Sequence, residues 1–141
     1  MKLFVCPLFL VLMLATSCSS IDFSQNRYVK FQSNLGIGSF FLSTPETLKE
    51  GGFAVVSTNE ETGSLRANKT VAGTFSMDIL ISYDEESDDV LIAIVNRIKS
   101  DEKEIIEYYN LQEYNKSYKE YFYQTISNIE VNSTKTAFPN R

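Results

Sequence analysis

Histidine is absent from this 141-residue chain, and the only cysteines are Cys6 and Cys18. Histidine is the commonest general base and a frequent metal ligand near neutral pH. Its absence excludes Ser-His-Asp triads, Cys-His dyads, zinc hydrolase centres and haem attachment. Serine and lysine are plentiful, but nothing singles out one pair as a Ser-Lys hydrolytic dyad. The sequence therefore predicts a protein that is not an enzyme and binds neither cofactor nor metal.

The apolar segment at the N-terminus is too short to cross a membrane. Residues 3–15 are apolar except for Pro7, whereas a spanning helix needs about 20 apolar residues. Lys2 precedes this run and small residues follow it, which is typical of a secretory signal peptide. We therefore expect residues 1–17 to be removed on export.

Small residues stand directly before Cys18, in the order Ala15-Thr16-Ser17-Cys18. This segment resembles the lipobox of bacterial lipoproteins, although the family prefers Leu, Val or Ile where Ala15 stands. The resemblance covers only the first twenty residues, and it implies that Cys18 becomes the lipid-bearing first residue of the mature chain. Because Cys6 lies in the segment to be removed, Cys18 has no intramolecular disulfide partner. The alternatives are an ordinary signal peptide that is cleaved nearby and an anchor that is not cleaved.

The residues after the cysteine indicate where the protein is delivered. Ser19 and Ser20 stand where many lipoproteins retained in the inner membrane carry an aspartate. The resemblance therefore implies an outer-membrane lipoprotein that faces the periplasm, anchored to the membrane by its lipid. The net charge of −5 argues against nucleic acid as a partner, because an acidic domain is repelled by phosphate backbones.

After the signal peptide, the sequence predicts the lipidated cysteine and a short tether at residues 18–26, a single domain at 27–134 and a C-terminal tail at 135–141. Alternation predicts a first strand at 27–32, followed by a loop at 34–39 and strand-like residues at 40–42. Thr44-Pro45-Glu46 predicts the start of a short helix, which Gly51 and Gly52 end.

Strands are predicted next at residues 53–58, 64–70, 77–83 and 90–95, with an edge segment at 105–109. Alternation in the third of these places four apolar side chains on one face, namely Met77, Ile79, Ile81 and Tyr83. The apolar run at 90–95 is typical of a strand well inside a sheet.

A long helix is predicted at the C-terminal end, starting at Asn110 or Asn115. Its apolar stripe is formed by residues at helical spacing, namely Tyr118, Tyr121, Phe122, Ile126 and Ile129. The element order β-α-β-β-β-β-α predicts an α+β fold, a mainly antiparallel sheet of about five strands with both helices on one face. This order is similar to the helix-grip and TATA-binding-protein-like folds, and residues 52–67 resemble small lipoprotein domains.

Two clusters are candidate sites. Six of the eight tyrosines lie between Tyr108 and Tyr123, and the four that fall outside the predicted stripe are candidates for an exposed partner surface: Tyr108, Tyr109, Tyr114 and Tyr123. The acidic turn at 84–89 has carboxylates that calcium would accept, but it lacks the spacing of an EF-hand loop. We interpret it as a solvated hairpin turn.

The sequence therefore favours a non-catalytic envelope lipoprotein whose domain binds another envelope protein, as an assembly or scaffold component. The alternative is a carrier that holds a small hydrophobic ligand between the sheet and the long helix.

Overall fold

The computed structural model describes residues 28–108 and 119–134, and it confirms the predicted α+β fold. The described part of the chain has six strands and two helices. In chain order these are β1 (Tyr28–Gln32), α1 (Ile37–Glu50), β2 (Ala54–Asn59), β3 (Ser64–Ala72), β4 (Phe75–Asp84), β5 (Asp89–Lys99), β6 (Glu104–Tyr108) and α2 (Tyr123–Thr134). The edge segment predicted at 105–109 is a strand, β6.

The strands form one antiparallel sheet in the order β1-β5-β4-β3-β2. Strand β6 also pairs with β5, from Val95 opposite Tyr108 to Lys99 opposite Glu104. One side of β5 pairs along its length with β4. The other side of β5 pairs first with β1 and then with β6. This arrangement makes β5 the central strand and explains its apolar run. Strand β2 is the opposite edge.

The main hydrophobic core lies between one face of the sheet and the two helices. Its sheet side includes Met77, Ile79, Ile81 and Tyr83, all buried, which confirms the alternation read from the sequence. Its helix side includes the rings of Phe40 in α1 and of Phe122, which directly precedes α2. In the described residues, no helix is both long and apolar enough to cross a membrane.

The predicted start of α1 is wrong by eight residues, because the first helical residue is Ile37 and not Pro45. The predicted loop at 34–39 is confirmed only for residues 34–36, and the strand-like segment predicted at 40–42 is wrong because it is helical. Phe40, Phe41 and Leu48 recur at helical spacing and are buried, and this burial favours helix over the whole segment. It outweighs Pro45 inside the helix, which costs about 3 kcal/mol. The predicted end is confirmed, since the amides of Gly51 and Gly52 close the last turn.

The predicted stripe of the C-terminal helix is confirmed for Phe122, Ile126 and Ile129, which are buried. It is wrong for Tyr121, whose side chain is exposed. Tyr121 precedes the first turn of α2, so helical spacing does not apply to it. Tyr118 and the two predicted helix starts, Asn110 and Asn115, lie outside the described residues.

Helix α2 is fixed at both ends by contacts with the segments that flank α1. At its C-terminus, the backbone N–H and side-chain amide of Asn34 donate to the carbonyl oxygens of Ser133 and Thr134, at 2.9 and 3.0 Å. These bonds satisfy two carbonyls that a helix end otherwise leaves without partners. Near its N-terminus, Thr125 packs so closely on Gly51 that a Cβ there would lie 2.1 Å from Thr125 Oγ1.

Candidate functional site

The tyrosines predicted as a partner surface do not form one surface in the described residues. Tyr123, at the start of α2, is exposed, and the ammonium of Lys119 lies 4.5 Å from its ring centroid. Tyr108 is half-buried at the end of β6, on the face of the sheet opposite the helices. Tyr109 and Tyr114 lie outside the described residues, as does the predicted lipidation site Cys18.

The sheet face opposite the helices, here called the open face, has a small hydrophobic cluster of its own. It consists of Leu80, Ala93 and Val95, with Tyr28 and Tyr108 packed around them. This cluster contains no helix residue among the described ones. Leu80, Ala93 and Val95 are themselves buried, so the cluster is a second, smaller core on this face.

A buried carboxylate lies beside this cluster. Asp78 in β4 is fully buried, and its Oδ2 accepts hydrogen bonds from Arg66 Nε at 3.0 Å and Arg97 Nε at 2.6 Å. Arg66 Nη2 also lies 2.8 Å from Oδ2. Oδ1 accepts a hydrogen bond from the side-chain amide of Asn68 at 2.5 Å. A buried carboxylate is tolerated when it is paired and fully hydrogen-bonded, and Asp78 meets both conditions.

The register of three strands brings these groups together. Asn68 in β3 lies directly opposite Asp78, while Arg66 lies opposite Leu80, the next residue of β4 on the same face. Arg97 in β5 lies opposite Ser76, on the other side of Asp78 along β4. One carboxylate therefore holds two guanidinium groups from the strands on either side of it. Burial lowers the pKa of Arg97, but Asp78 and Glu104 outweigh that effect and raise it.

The two arginines line a groove of about 250 Å³ at one end of the open face. The β3–β4 turn and the ends of β5 and β6 complete its wall, which is formed by Arg66, Asn68, Thr70, Ala72, Gly73, Thr74, Phe75, Ser76, Arg97, Lys99 and Glu104. Sequence reasoning did not predict this groove. One feature of the sequence could have indicated it. The alternation in β4 places Asp78 as an isolated charge on the face opposite Met77 and Ile79.

The free edge of the sheet is a second surface feature. All six residues of β2 are exposed, and in the described residues this strand pairs only with β3. Val55 and Val56 are 39% and 55% exposed. The register shifts between Val55 and Ser57, so β2 has a bulge at Val56. Unpaired backbone groups at such an edge can pair with a strand of another chain.

The acidic turn does not bring its carboxylates together. Asp88 Oδ1 lies 2.7 Å from the hydroxyl oxygen of Tyr83, whereas Asp89 pairs with Lys30 at 2.7 Å. Asp84 accepts a hydrogen bond from the backbone N–H of Glu86. The described residues contain no group of three or more cysteine or acidic side chains arranged to hold a metal ion. The turn is a hairpin connection in which the carboxylates of Asp84, Asp88 and Asp89 have separate partners.

Comparison of the chain with protein-family models, curated proteins and solved structures finds no match.

Proposed function

We propose that this chain is a non-catalytic envelope lipoprotein whose domain binds another protein, as an assembly or scaffold component. Its membrane anchor is a lipid on Cys18, and its domain faces the periplasm from the outer membrane. The lipobox-like segment supports the anchor, and the absence of histidine supports a role without catalysis.

The free edge of β2 is the observation that carries the protein-binding role. An edge strand that is exposed along its whole length offers a row of backbone donors and acceptors to an added strand. Val55 and Val56 add exposed apolar contact area at the centre of this edge. The bulge at Val56 interrupts the ladder and hinders indiscriminate pairing along this edge, so an added strand must accommodate it.

The packing between sheet and helices favours this role over that of a ligand carrier. A carrier needs an open cavity there, but aromatic side chains occupy the described part of this interface. The ring centroids of Phe40 and Tyr83 are 5.2 Å apart, and Phe40, Phe53 and Phe122 are fully buried. A hydrophobic ligand would have to displace these rings.

Photo-crosslinking in intact cells tests the proposal. A photoreactive amino acid replaces Val56 or Tyr123, and the adducts are identified by mass spectrometry. A third chain carries it at Lys103, which is exposed in the β5–β6 turn and serves as the control. We expect a reproducible protein adduct from Val56 that is absent from Lys103. Adducts confined to lipid or small molecules would support the carrier instead.

A further inference from the structure

The groove on the open face is positively charged, in contrast to the chain as a whole. Among the described residues, three cationic side chains line it, Arg66, Arg97 and Lys99, against one carboxylate, Glu104. Asp78 lies behind the arginines and reduces the local charge to about +1, whereas the whole chain carries −5. A concave site whose charge is opposite to that of its surroundings concentrates anions.

Asp78 orients the two guanidinium groups without using all of their donors. It occupies Nε and Nη2 of Arg66 and Nε of Arg97. A guanidinium has five N–H donors. Arg97 Nη1 also lies 3.7 Å from Glu104 Oε2, whereas the other donors of both arginines form no hydrogen bond with the described residues. Both side chains remain partly exposed, by 38% and 23%. Their remaining donors are therefore held in place at the groove and are accessible to a ligand.

Further polar groups in the groove have no partner among the described residues. They are the hydroxyls of Thr70, Thr74 and Ser76 and the ammonium of Lys99. Guanidinium, ammonium and hydroxyl groups are the donors that proteins use for carboxylate and phosphate oxygens. Phe75 and Ala72 provide an apolar wall beside them.

We propose that this groove binds an oxyanion group, a carboxylate or a phosphate, of a small ligand. Its volume of about 250 Å³ lies below the range of roughly 300–1,000 Å³ that is usual for drug-sized ligands. The groove therefore accommodates one oxyanion and a few adjoining carbon atoms. This site is independent of the lipid anchor and of the β2 edge.

Titration of the full chain, purified in detergent, tests the site. Inorganic phosphate and succinate are the two probes, and isothermal titration calorimetry at constant ionic strength measures their binding. Constant ionic strength is needed because screening alone weakens every exposed charge. Tighter binding of phosphate identifies the ligand group as a phosphate, and tighter binding of succinate identifies it as a carboxylate.

Two exposed lysines provide a matched pair of variants. Lys99 lines the groove, and its side chain has no partner among the described residues, so Lys99→Gln leaves the Asp78 cluster intact. We expect it to weaken binding by about tenfold, the effect of losing one charge-assisted hydrogen bond. Lys103→Gln, outside the groove, should leave binding unchanged. Glu104→Gln should tighten binding, since Glu104 is the one carboxylate that lines the groove among the described residues.

Two results would overturn the site. One is the lack of saturable binding of either anion up to about 10 mM. The other is an equal effect of Lys99→Gln and Lys103→Gln, which would mean that only the overall charge of the protein matters.

Discussion

Arg97 Nε lies 2.6 Å from Oδ2 of the fully buried Asp78 and connects the central strand β5 to β4 through side chains as well as through the backbone. Arg66 reaches the same oxygen from β3, on the other side of β4. Three adjacent strands thus share one carboxylate on the open face. The two arginines would repel each other without it, so the stability of this part of the sheet depends on Asp78.

Replacement of Asp78 by Asn should therefore destabilise the fold. The change keeps the size of the side chain but removes the charge that both guanidinium groups contact. We expect the free energy of unfolding to fall by about 3 kcal/mol, typical for breaking a buried ion pair. Urea denaturation measures it. Asp101→Asn, at an exposed position in the β5–β6 turn, is the control and should change the free energy by less than about 0.5 kcal/mol. Equal effects of the two changes would contradict the role of Asp78.

Tyr83 should make the stability of the protein sensitive to alkaline pH. Burial raises its pKa from 10.0 to about 12, and the neighbouring Asp88 adds to this shift. The folded state therefore retains the hydroxyl proton at a pH where the unfolded state has lost it. The resulting stabilisation is complete below pH 10 and is lost as the pH rises towards 12, by up to roughly 1.4 kcal/mol per pH unit.

The variant Tyr83→Phe isolates this effect. It also loses the hydrogen bond to the carbonyl oxygen of Leu35, so it should be less stable than the parent at neutral pH, by about 1 kcal/mol. The difference should shrink and then reverse between pH 10 and 12, because only the parent has this group to ionise. Urea denaturation of both chains across this range measures it. If the difference in unfolding free energy between the two chains stays constant with pH, ionisation of Tyr83 does not cause the loss of stability at alkaline pH.

The contact between Gly51 and Thr125 should not tolerate a methyl group. A Cβ at Gly51 would lie 2.1 Å from Thr125 Oγ1, so Gly51→Ala must displace α2 from the end of α1. We expect a loss of about 2 kcal/mol in the free energy of unfolding, as for overpacked cores. Gly38→Ala is the control, since a Cβ there has no neighbour within 4 Å. Because alanine has a higher helix propensity than glycine, Gly38→Ala should stabilise α1 by roughly 0.5–1 kcal/mol. Destabilisation by both changes would contradict the contact as the cause.

Lipidation is tested by metabolic labelling. Labelled palmitate should appear on the parent chain and not on a Cys18→Ser variant. Cys6 lies in the predicted signal peptide, so cleavage before Cys18 would leave no other thiol for lipid. Label on both chains, or on neither, would contradict the predicted anchor.

The strands could be predicted well because their signal is local. In β4, alternation identifies the buried face, and the apolar run of β5 marks its central position. Helix α1 could not be placed correctly from Thr44 and Pro45, because contacts of Phe40 and Phe41 with the sheet outweigh local propensity. A capping motif is local and does not show which side chains will be buried against strands that are distant in the sequence.

The groove shows a different limit of the sequence. Asp78 can be recognised as a charge within an apolar strand, but its partners cannot. Arg66 and Arg97 are 12 and 19 residues away in the chain, and only the strand register brings them to Asp78. Composition indicates an acidic domain, whereas the positive groove results entirely from this arrangement.

The measurement that tests the central claim most directly is crosslinking from Thr58, an exposed residue of β2, in living cells. Three chains are compared: the parent, Val56→Lys and Leu42→Lys. Leu42 lies on α1, away from the β2 edge, and is 83% exposed. Leu42→Lys therefore replaces an exposed apolar side chain by lysine, as Val56→Lys does, but leaves the edge unchanged. If β2 binds a partner strand, the protein adduct forms in the parent and in Leu42→Lys but is lost in Val56→Lys. An adduct that persists equally in all three chains, or one that contains only lipid, would contradict the account.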